Sequence, residues 1–317
     1  MKRGAGNTSY IIGSDGQDGK LITELLKNQD KKVIQIGKKY LINNEIRVPF
    51  DSTDKSQVRE LFLSNPPLDI YFLAADHNPS DIDSVTSNIK KSKDSKVLDL
   101  LVIFLENIRI FKSDCRLFYA SSCLVFGEPK FSPQNEFTDR APIEDYAKIK
   151  LKGEEILEFY RNHYNLYTVT GILYSHESEF RRSDFLFSKI LKHALNSASG
   201  ANEILQISNL DSFKDWSAAR DIVKGVVATL IPESPSNYVI GSGELHSVRE
   251  ICEIAFNYFK LDFEDFVVQS DIELPRKAPK IPFLADASSL KIKTGWKPTI
   301  SFKDLIENTL QVFNQHQ

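Results

Sequence analysis

Tyr146 and Lys150 are the two side chains best placed by type and spacing to do chemistry. They stand four residues apart, so on a helix they share one face, one turn from each other. An ammonium beside a phenol favours the ionised phenolate and lowers the phenol pKa. Such a tyrosine can exchange a proton with a hydroxyl near neutral pH. Ser122 stands at the end of the apolar run Leu117-Phe118-Tyr119-Ala120, which reads as a buried strand. Its hydroxyl can hydrogen-bond the same oxygen. A polar loop with Pro129, Pro133 and Pro142 links that strand to the candidate helix. A Tyr and a Lys at this spacing also meet by chance on surface helices. The pair gains meaning only from the elements that position it.

The start of the chain supplies those elements. Ser9-Tyr10-Ile11-Ile12 reads as a strand, and Leu21, Ile22, Leu25 and Leu26 share one side of a helix. Between them lies Gly13-Ser14-Asp15-Gly16-Gln17-Asp18-Gly19. Strand, GxxGxxG and helix form the dinucleotide-binding arrangement. Gly13 makes the tight turn, Gly16 lets the backbone approach a pyrophosphate, and Gly19 permits close helix–strand packing. Gln17 and Asp18 belong to the same expected cofactor turn.

Lys32 to Ile36 reads as the second strand, ending in Gly37-Lys38-Lys39. Two lysines and no carboxylate suit a 2′-phosphate, which favours NADP over NAD; the alternative is a solvated surface pair. Arg47 to Phe50 reads as a third strand. Asp51-Ser52-Thr53-Asp54 then caps a helix from Lys55 to Phe62, with Asp51 and Ser52 also candidate adenine-side contacts. Asp69 to Ala75 reads as the fourth strand, whose end (Leu73, Ala74, Ala75) is small enough for a cofactor to pack closely. His77 follows, either a substrate contact or a surface loop histidine. Residues 80–96 are polar and dotted with lysines, so they read as a solvated face, and Val97 to Phe111 as an apolar helix.

The Tyr146 helix is expected to reach His163, followed by a strand from Leu166 to Leu173 that ends the cofactor site. Alternating strands and helices imply a parallel α/β sheet with helices on both faces. Beyond it, Tyr174 to Arg182 reads as a loop, Phe185 to Leu195 as a helix and Ile204 to Ile207 as a strand. A helix follows from Ala218 to Leu230, then a strand at Tyr238 to Gly241. The proline-marked C-terminal third reads as compact but less regular.

Composition excludes several classes. With 41% hydrophobic and 26% charged residues in a chain of 317, this is an ordinary globular sequence able to bury a core. A net charge of -3 gives no basic field for nucleic acid. Three cysteines without CxxC spacing exclude a disulfide framework and a zinc site, so no metal is expected. No apolar run reaches membrane-spanning length, and the polar N-terminal stretch lacks a signal-peptide core. A cytoplasmic setting is the expectation.

Taken together, the GxxGxxG turn, Ser122 and the Tyr146–Lys150 pair resemble the extended short-chain dehydrogenase/reductases. Within them the chain is most similar to GDP-mannose 4,6-dehydratase and its relative GDP-4-keto-6-deoxy-mannose reductase. Gly13 to Gly19 matches that group's GxxGQDG. Gly171-Ile172-Leu173-Tyr174-Ser175-His176-Glu177-Ser178 with Arg181-Arg182 is similar to its GILFNHES…RR. Lys214-Asp215-Trp216 resembles KRDW, Gly243 to Glu250 resembles GEVHSVRE, and Gly295-Trp296-Lys297-Pro298 matches GWKP.

The resemblance implies a doubly wound Rossmann domain and a smaller C-terminal α/β domain for a nucleotide sugar. The first would span residues 1–173 plus a returning segment at 209–231, the second 174–208 and 232–317. It implies hydride transfer between carbon 4 of a GDP-linked hexose and a nicotinamide, with Tyr146, Lys150 and Ser122 catalytic. Tyr146, Lys150 and Leu173 would also touch the cofactor. His77, Cys123, Ser175, Lys189, Lys214 and Arg276 would touch substrate, Arg276 through its diphosphate. A short loop after the second strand points to a homodimer rather than a tetramer.

The chain departs from the pattern at decisive points. Where the dehydratase has STSELYG, this chain has Ser121-Ser122-Cys123-Leu124-Val125-Phe126-Gly127. The family Glu that drives water loss is Leu124, and leucine cannot move a proton. Ser175 replaces the family Asn, and Glu144-Asp145 replaces Ser-Pro before the tyrosine. The expectation is therefore a redox enzyme acting at carbon 4, a 4-ketosugar reductase, a 4-oxidase or an epimerase, without elimination. A dehydratase with a relocated acid/base and a non-catalytic cofactor-binding homologue are the alternatives.

Overall fold

The computed structural model describes residues 7–75, 87–111, 114–270 and 279–315. Its centre is β1 (Thr8–Ile12), buried at every position. α1 (Gln17–Lys27) lays Leu21, Ile22 and Leu26 on one face of the sheet. β2 (Lys32–Ile36) pairs parallel to β1.

The chain then turns straight back. β3 (Tyr40–Asn43) and β4 (Ile46–Pro49) form an antiparallel hairpin on the outer edge of β2. The strand expected at Arg47 to Phe50 is therefore the outer arm of a hairpin, not a parallel neighbour of β2. The three residues from Gly37 to Lys39 are too few for a crossover, so the chain can only reverse. Asn44 and Glu45, with φ of 47° and 67°, close the hairpin in the conformation a two-residue turn demands.

α2 (Lys55–Ser64) is capped by Asp54, whose carboxylate accepts from Ser56 N at 2.8 Å. Asp51 instead closes its own turn by accepting from Thr53 N at 2.9 Å. β5 (Asp69–Phe72) pairs with β1. α3 (Ser87–Ile110) begins ten residues before the apolar stretch that reveals it in the sequence. Its polar first turns hold no Gly or Pro, and good helix formers extend a helix that packing has already nucleated.

β6 (Arg116–Ser122), α4 (Asp145–Tyr164) and β7 (Thr168–Leu173) follow the expected pattern. Asn165 ends α4 in the left-handed conformation, which asparagine tolerates better than most residues. β8 (Ser175–Glu177) occupies the expected loop, paired with β10 (Phe213–Ala218). Between them come α5 (Leu186–Ala198) and β9 (Leu205–Ile207). The helix expected from Ala218 is α6 (Ala219–Ala228). β11 (Tyr238–Ile240), β12 (Leu245–Ser247), α7 (Val248–Tyr258) and β13 (Val267–Gln269) follow. The chain ends in α8 (Ser288–Thr294) and α9 (Phe302–Gln315), so its last third is more regular than its prolines suggest.

Among the described residues the large sheet runs β11-β7-β6-β5-β1-β2-β3-β4, parallel except at the β3 hairpin. Two apolar cores cover its faces, one around Tyr10, Phe72 and Phe104, the other around Ile11, Phe118 and Val223. This is a doubly wound Rossmann α/β sheet. A separate core of Phe187, Trp216, Phe256 and Ile306 holds α5, α7 and α9 against β10. β11 and α8, although C-terminal, pack on the large sheet: the Trp296 ring lies against Gly225 of α6. Asp221 binds the backbone N–H groups of Thr299 (2.6 Å) and Ile300 (2.7 Å), which pins the segment after Gly295-Trp296-Lys297-Pro298 to α6. No helix among the described residues is long and apolar enough to cross a membrane.

Candidate active site

Parallel strands bring their carboxyl ends to one edge of the sheet, where ligands bind in this architecture. The turn after β1 lies there. Gly13 has φ +92°, and a Cβ on it would lie 2.9 Å from Ala74 N, just past β5. A Cβ on Gly19 would lie 2.5 Å from Gly13 O, so α1 can approach β1 only with glycine there. Gly16 faces open space apart from Gly13 O at 3.5 Å. The α1 N-terminus has no side-chain cap, and the Ser14 hydroxyl is buried without a hydrogen-bond partner. Uncapped N–H groups, an open glycine and an orphan hydroxyl fit a bound pyrophosphate.

Ser122 closes β6 beside Leu173, its partner in register on β7. Its Oγ accepts from Leu124 N at 3.3 Å, which leaves the hydroxyl hydrogen for another oxygen. α4 rests directly on β6 because Gly153 leaves room: a Cβ there would strike the Tyr119 ring. That close approach buries Lys150, whose Nζ donates to Ala120 O at 2.7 Å. The ammonium lies 5.6 Å from the centre of the Tyr146 ring. Burial lowers the Lys150 pKa to about 8, against the opposing pull of Asp18 and Glu154. Asp18 is felt at Lys150, so the α1 N-terminus and α4 flank one site. Lys150 is thus a cation near neutral pH, fixed in position and beside the phenol.

Sequence reasoning missed three partners of this pair. Glu154 is buried one turn beyond Lys150 and accepts from the Ser121 hydroxyl; Arg140 Nε stands 3.4 Å from its other oxygen. Burial raises the Glu154 pKa, and Ser121 and Arg140 offset part of that rise. The spacing of 146, 150 and 154 is the available signal, since all three share one helix face. Arg140, from the loop, carried no signal.

Gln17 and Asp18 do more than line the turn. Gln17 Nε2 donates to His176 O at 3.1 Å, and Ser178 Oγ donates to Gln17 Oε1 at 2.9 Å. His176 Nε2 sits 3.0 Å from both Asp18 carboxylate oxygens. Burial alone would raise the Asp18 pKa, but His176 and Arg181 bring it down to about 2. Burial would lower the His176 pKa, and Asp18 overcomes it and raises it. The expected Gly13–Gly19 and Gly171–Ser178 motifs are therefore one bonded unit joining α1 to β8.

This unit has a pH signature. Asp18 titrates lower folded than unfolded, so its stabilisation is complete above about pH 4 and fades as pH falls toward 2. His176 titrates higher folded than unfolded, so its share is complete below 6.5 and is lost as pH rises through the raised value. Asp18→Asn is expected to cost about 2 kcal/mol near pH 5.5, much less near pH 2.5, and progressively less as pH rises through the raised His176 value. Urea unfolding of both proteins across that pH range measures the difference; an equal cost at every pH would contradict the linked pair.

The remaining expected residues are spread around this edge. Leu73 and Ala74 follow β5, and Ala75 comes next, half-buried to exposed. Lys38 and Lys39 are exposed in the turn before β3, Asp51 is exposed and Ser52 buried. Cys123 is buried and forms no disulfide, like Cys115 and Cys252. Ser175 lies on β8, Lys189 on α5, and Lys214 on β10 with its Nζ 5.1 Å from the Trp216 ring. His77 and Arg276 lie outside the described residues. No cluster able to hold a metal ion occurs among the described residues.

The wider comparisons agree with this geometry. GDP-mannose 4,6 dehydratase from Drosophila melanogaster is 28% identical over 340 residues, covering 96% of this chain and 85% of the relative. GDP-mannose 4,6-dehydratase from Vibrio cholerae is 27% identical, covering 97% and 95%. Among solved structures, RMD from Pseudomonas aeruginosa complexed with NADPH superposes with a TM-score of 0.82 at 17% identity, covering 98% of this chain and 100% of that one. The dTDP-glucose 4,6-dehydratase of Bacillus anthracis in complex with NAD gives 0.80 at 15%, covering 98% and 97%. At such identities these structures speak for the fold. The profile of the family described as GDP-mannose 4,6 dehydratase matches residues 10–309, and the chain belongs to that family.

Proposed function

We infer that this chain is a nicotinamide-dependent enzyme that moves a hydride at carbon 4 of a nucleotide sugar, a GDP-linked hexose, without removing water. The observation that carries the reading is Lys150, buried and bonded to Ala120 O beside Tyr146, with Leu124 following Ser122 on the same turn. When bound, the nicotinamide supplies or accepts the hydride. Tyr146 takes the proton from the carbon 4 hydroxyl during oxidation, or returns it during reduction. The Lys150 cation favours the phenolate that this requires. Ser122 donates to the same oxygen and holds it in line. Family membership supports the substrate class, and the NADPH and NAD complexes of the structural neighbours support the cofactor class. Lys38 and Lys39, with no carboxylate at the end of β2, favour NADP.

Elimination across carbons 5 and 6 needs a further acid/base at the substrate. Leu124 offers none, and Glu154 is buried behind Lys150 with both oxygens engaged. The second lobe, built on the core of α5, α7 and α9, would hold the sugar nucleotide, and the chain would act as a homodimer. Mass spectrometry of GDP-mannose incubated with the protein and NADP tests the reading. The expected product spectrum lacks a species lighter by one water, while 4-keto-6-deoxy sugar nucleotides oxidise NADPH. A product lighter by one water would replace this reading with a dehydratase whose acid/base has moved.

A further inference from the structure

The hairpin that follows β2 places a side chain where the cofactor reading puts an adenosine ribose. In this architecture the ribose lies at the end of β2, next to the glycine turn. Here the two are strapped together: Gly13 N donates to Ile36 O at 2.9 Å. Tyr40 opens β3 and folds back over that junction. Its ring covers Gly37 so closely that a Cβ there would collide with it. Its hydroxyl donates to the Asp15 carboxylate, in the turn between Gly13 and Gly16. Arg47, on β4 opposite Ile42, reaches diagonally across the hairpin and lays its guanidinium 3.8 Å from the Tyr40 ring centre. Lys38 and Lys39 are exposed beside them.

We propose that Tyr40 occupies the adenosine-ribose position in the free protein and must swing aside for the cofactor, and that Asp15 and Arg47 then read the ribose. The phenol O–H stands in for the ribose 3′-hydroxyl, which a 2′-phosphate leaves free to donate, and Asp15 is its acceptor. With the ring displaced, Arg47 loses its stacking partner and is a bidentate donor beside Lys38 and Lys39, suited to a 2′-phosphate. The inference rests on the cofactor reading above and adds residues to it.

Calorimetric titration of the full chain with ADP-ribose and with 2′-phospho-ADP-ribose tests it without turnover. Tyr40→Phe keeps the ring but removes its bond to Asp15. It is expected to tighten both ligands by roughly 3- to 10-fold, the range of one hydrogen bond no longer broken on binding. Arg47→Gln, at an exposed position, is expected to weaken 2′-phospho-ADP-ribose about 10-fold and leave ADP-ribose unchanged or tighter. Unchanged or weaker binding of both ligands by Tyr40→Phe overturns the occupied-site proposal alone. Equal effects of Arg47→Gln on the two ligands overturn its phosphate-reading part. If neither ligand binds any of the proteins, the cofactor reading falls and the proposal with it.

Discussion

Tyr146→Phe is expected to lower kcat by about 10²- to 10⁴-fold while leaving the affinity for NADP within a few-fold of the original. The phenol oxygen is the only heavy atom removed, and the ring beside the Lys150 ammonium is kept. The substitution separates catalysis from binding. A cofactor-binding homologue without activity of its own would bind NADP equally well in both forms and show no turnover in either. Single-turnover hydride transfer measured at saturating NADP gives the first quantity, and fluorescence titration gives the second. The pH profile adds a check on Lys150. Its pKa is lowered to about 8 by burial, so the ammonium that supports the phenolate is lost above that pH. The rate is expected to fall as pH rises through about 8 wherever Lys150 alone limits it, and a profile flat to pH 10 would remove Lys150 from the proton chemistry.

Much of this arrangement was legible in the sequence because local patterns and long-range positions coincide there. The turn from Gly13 to Gly19 sits between an apolar run and an amphipathic helix, and it folds as that order dictates. The Tyr146–Lys150 face forms because α4 begins with Asp145 in its first turn and carries Gly153 against Tyr119 of β6. What the sequence hid was set by pairing at a distance. β8 has three residues and reads as loop until β10 supplies a neighbour to bond with. Arg140 is an ordinary loop arginine until Glu154 is seen beside it. Tyr40 carries no signal of its own in the sequence, and only the reversal at Gly37 brings it back over the glycine turn. Asp18 and His176 are 158 positions apart, so their ion pair has no local signature even though each lies within a readable motif.

Leu124→Glu should produce the largest gain. Position 124 lies two residues past Ser122 in the single turn from Cys123 to Phe126, with its own N–H bonded to the Ser122 hydroxyl. The turn geometry that holds the Ser122 hydroxyl therefore also fixes where a side chain at 124 begins. Leu124 is half-buried and packs against a small apolar cluster that includes Tyr174 and Ile172. A carboxyl placed there loses part of its water, which raises its pKa toward the working pH of a general acid or base. The loss of leucine packing costs about 1 kcal/mol, visible as a modest fall in Tm. Against that cost, a proton-transfer group at the substrate is worth about 10²- to 10⁴-fold in rate. Incubated with GDP-mannose and NADP, Leu124→Glu is expected to yield a product lighter by one water, whereas Leu124→Gln, of the same shape but unable to transfer a proton, is not. If the glutamate variant binds substrate, retains hydride transfer and still loses no water, then the leucine at 124 is not what separates this chain from elimination, and the difference lies in how the substrate is positioned against the turn.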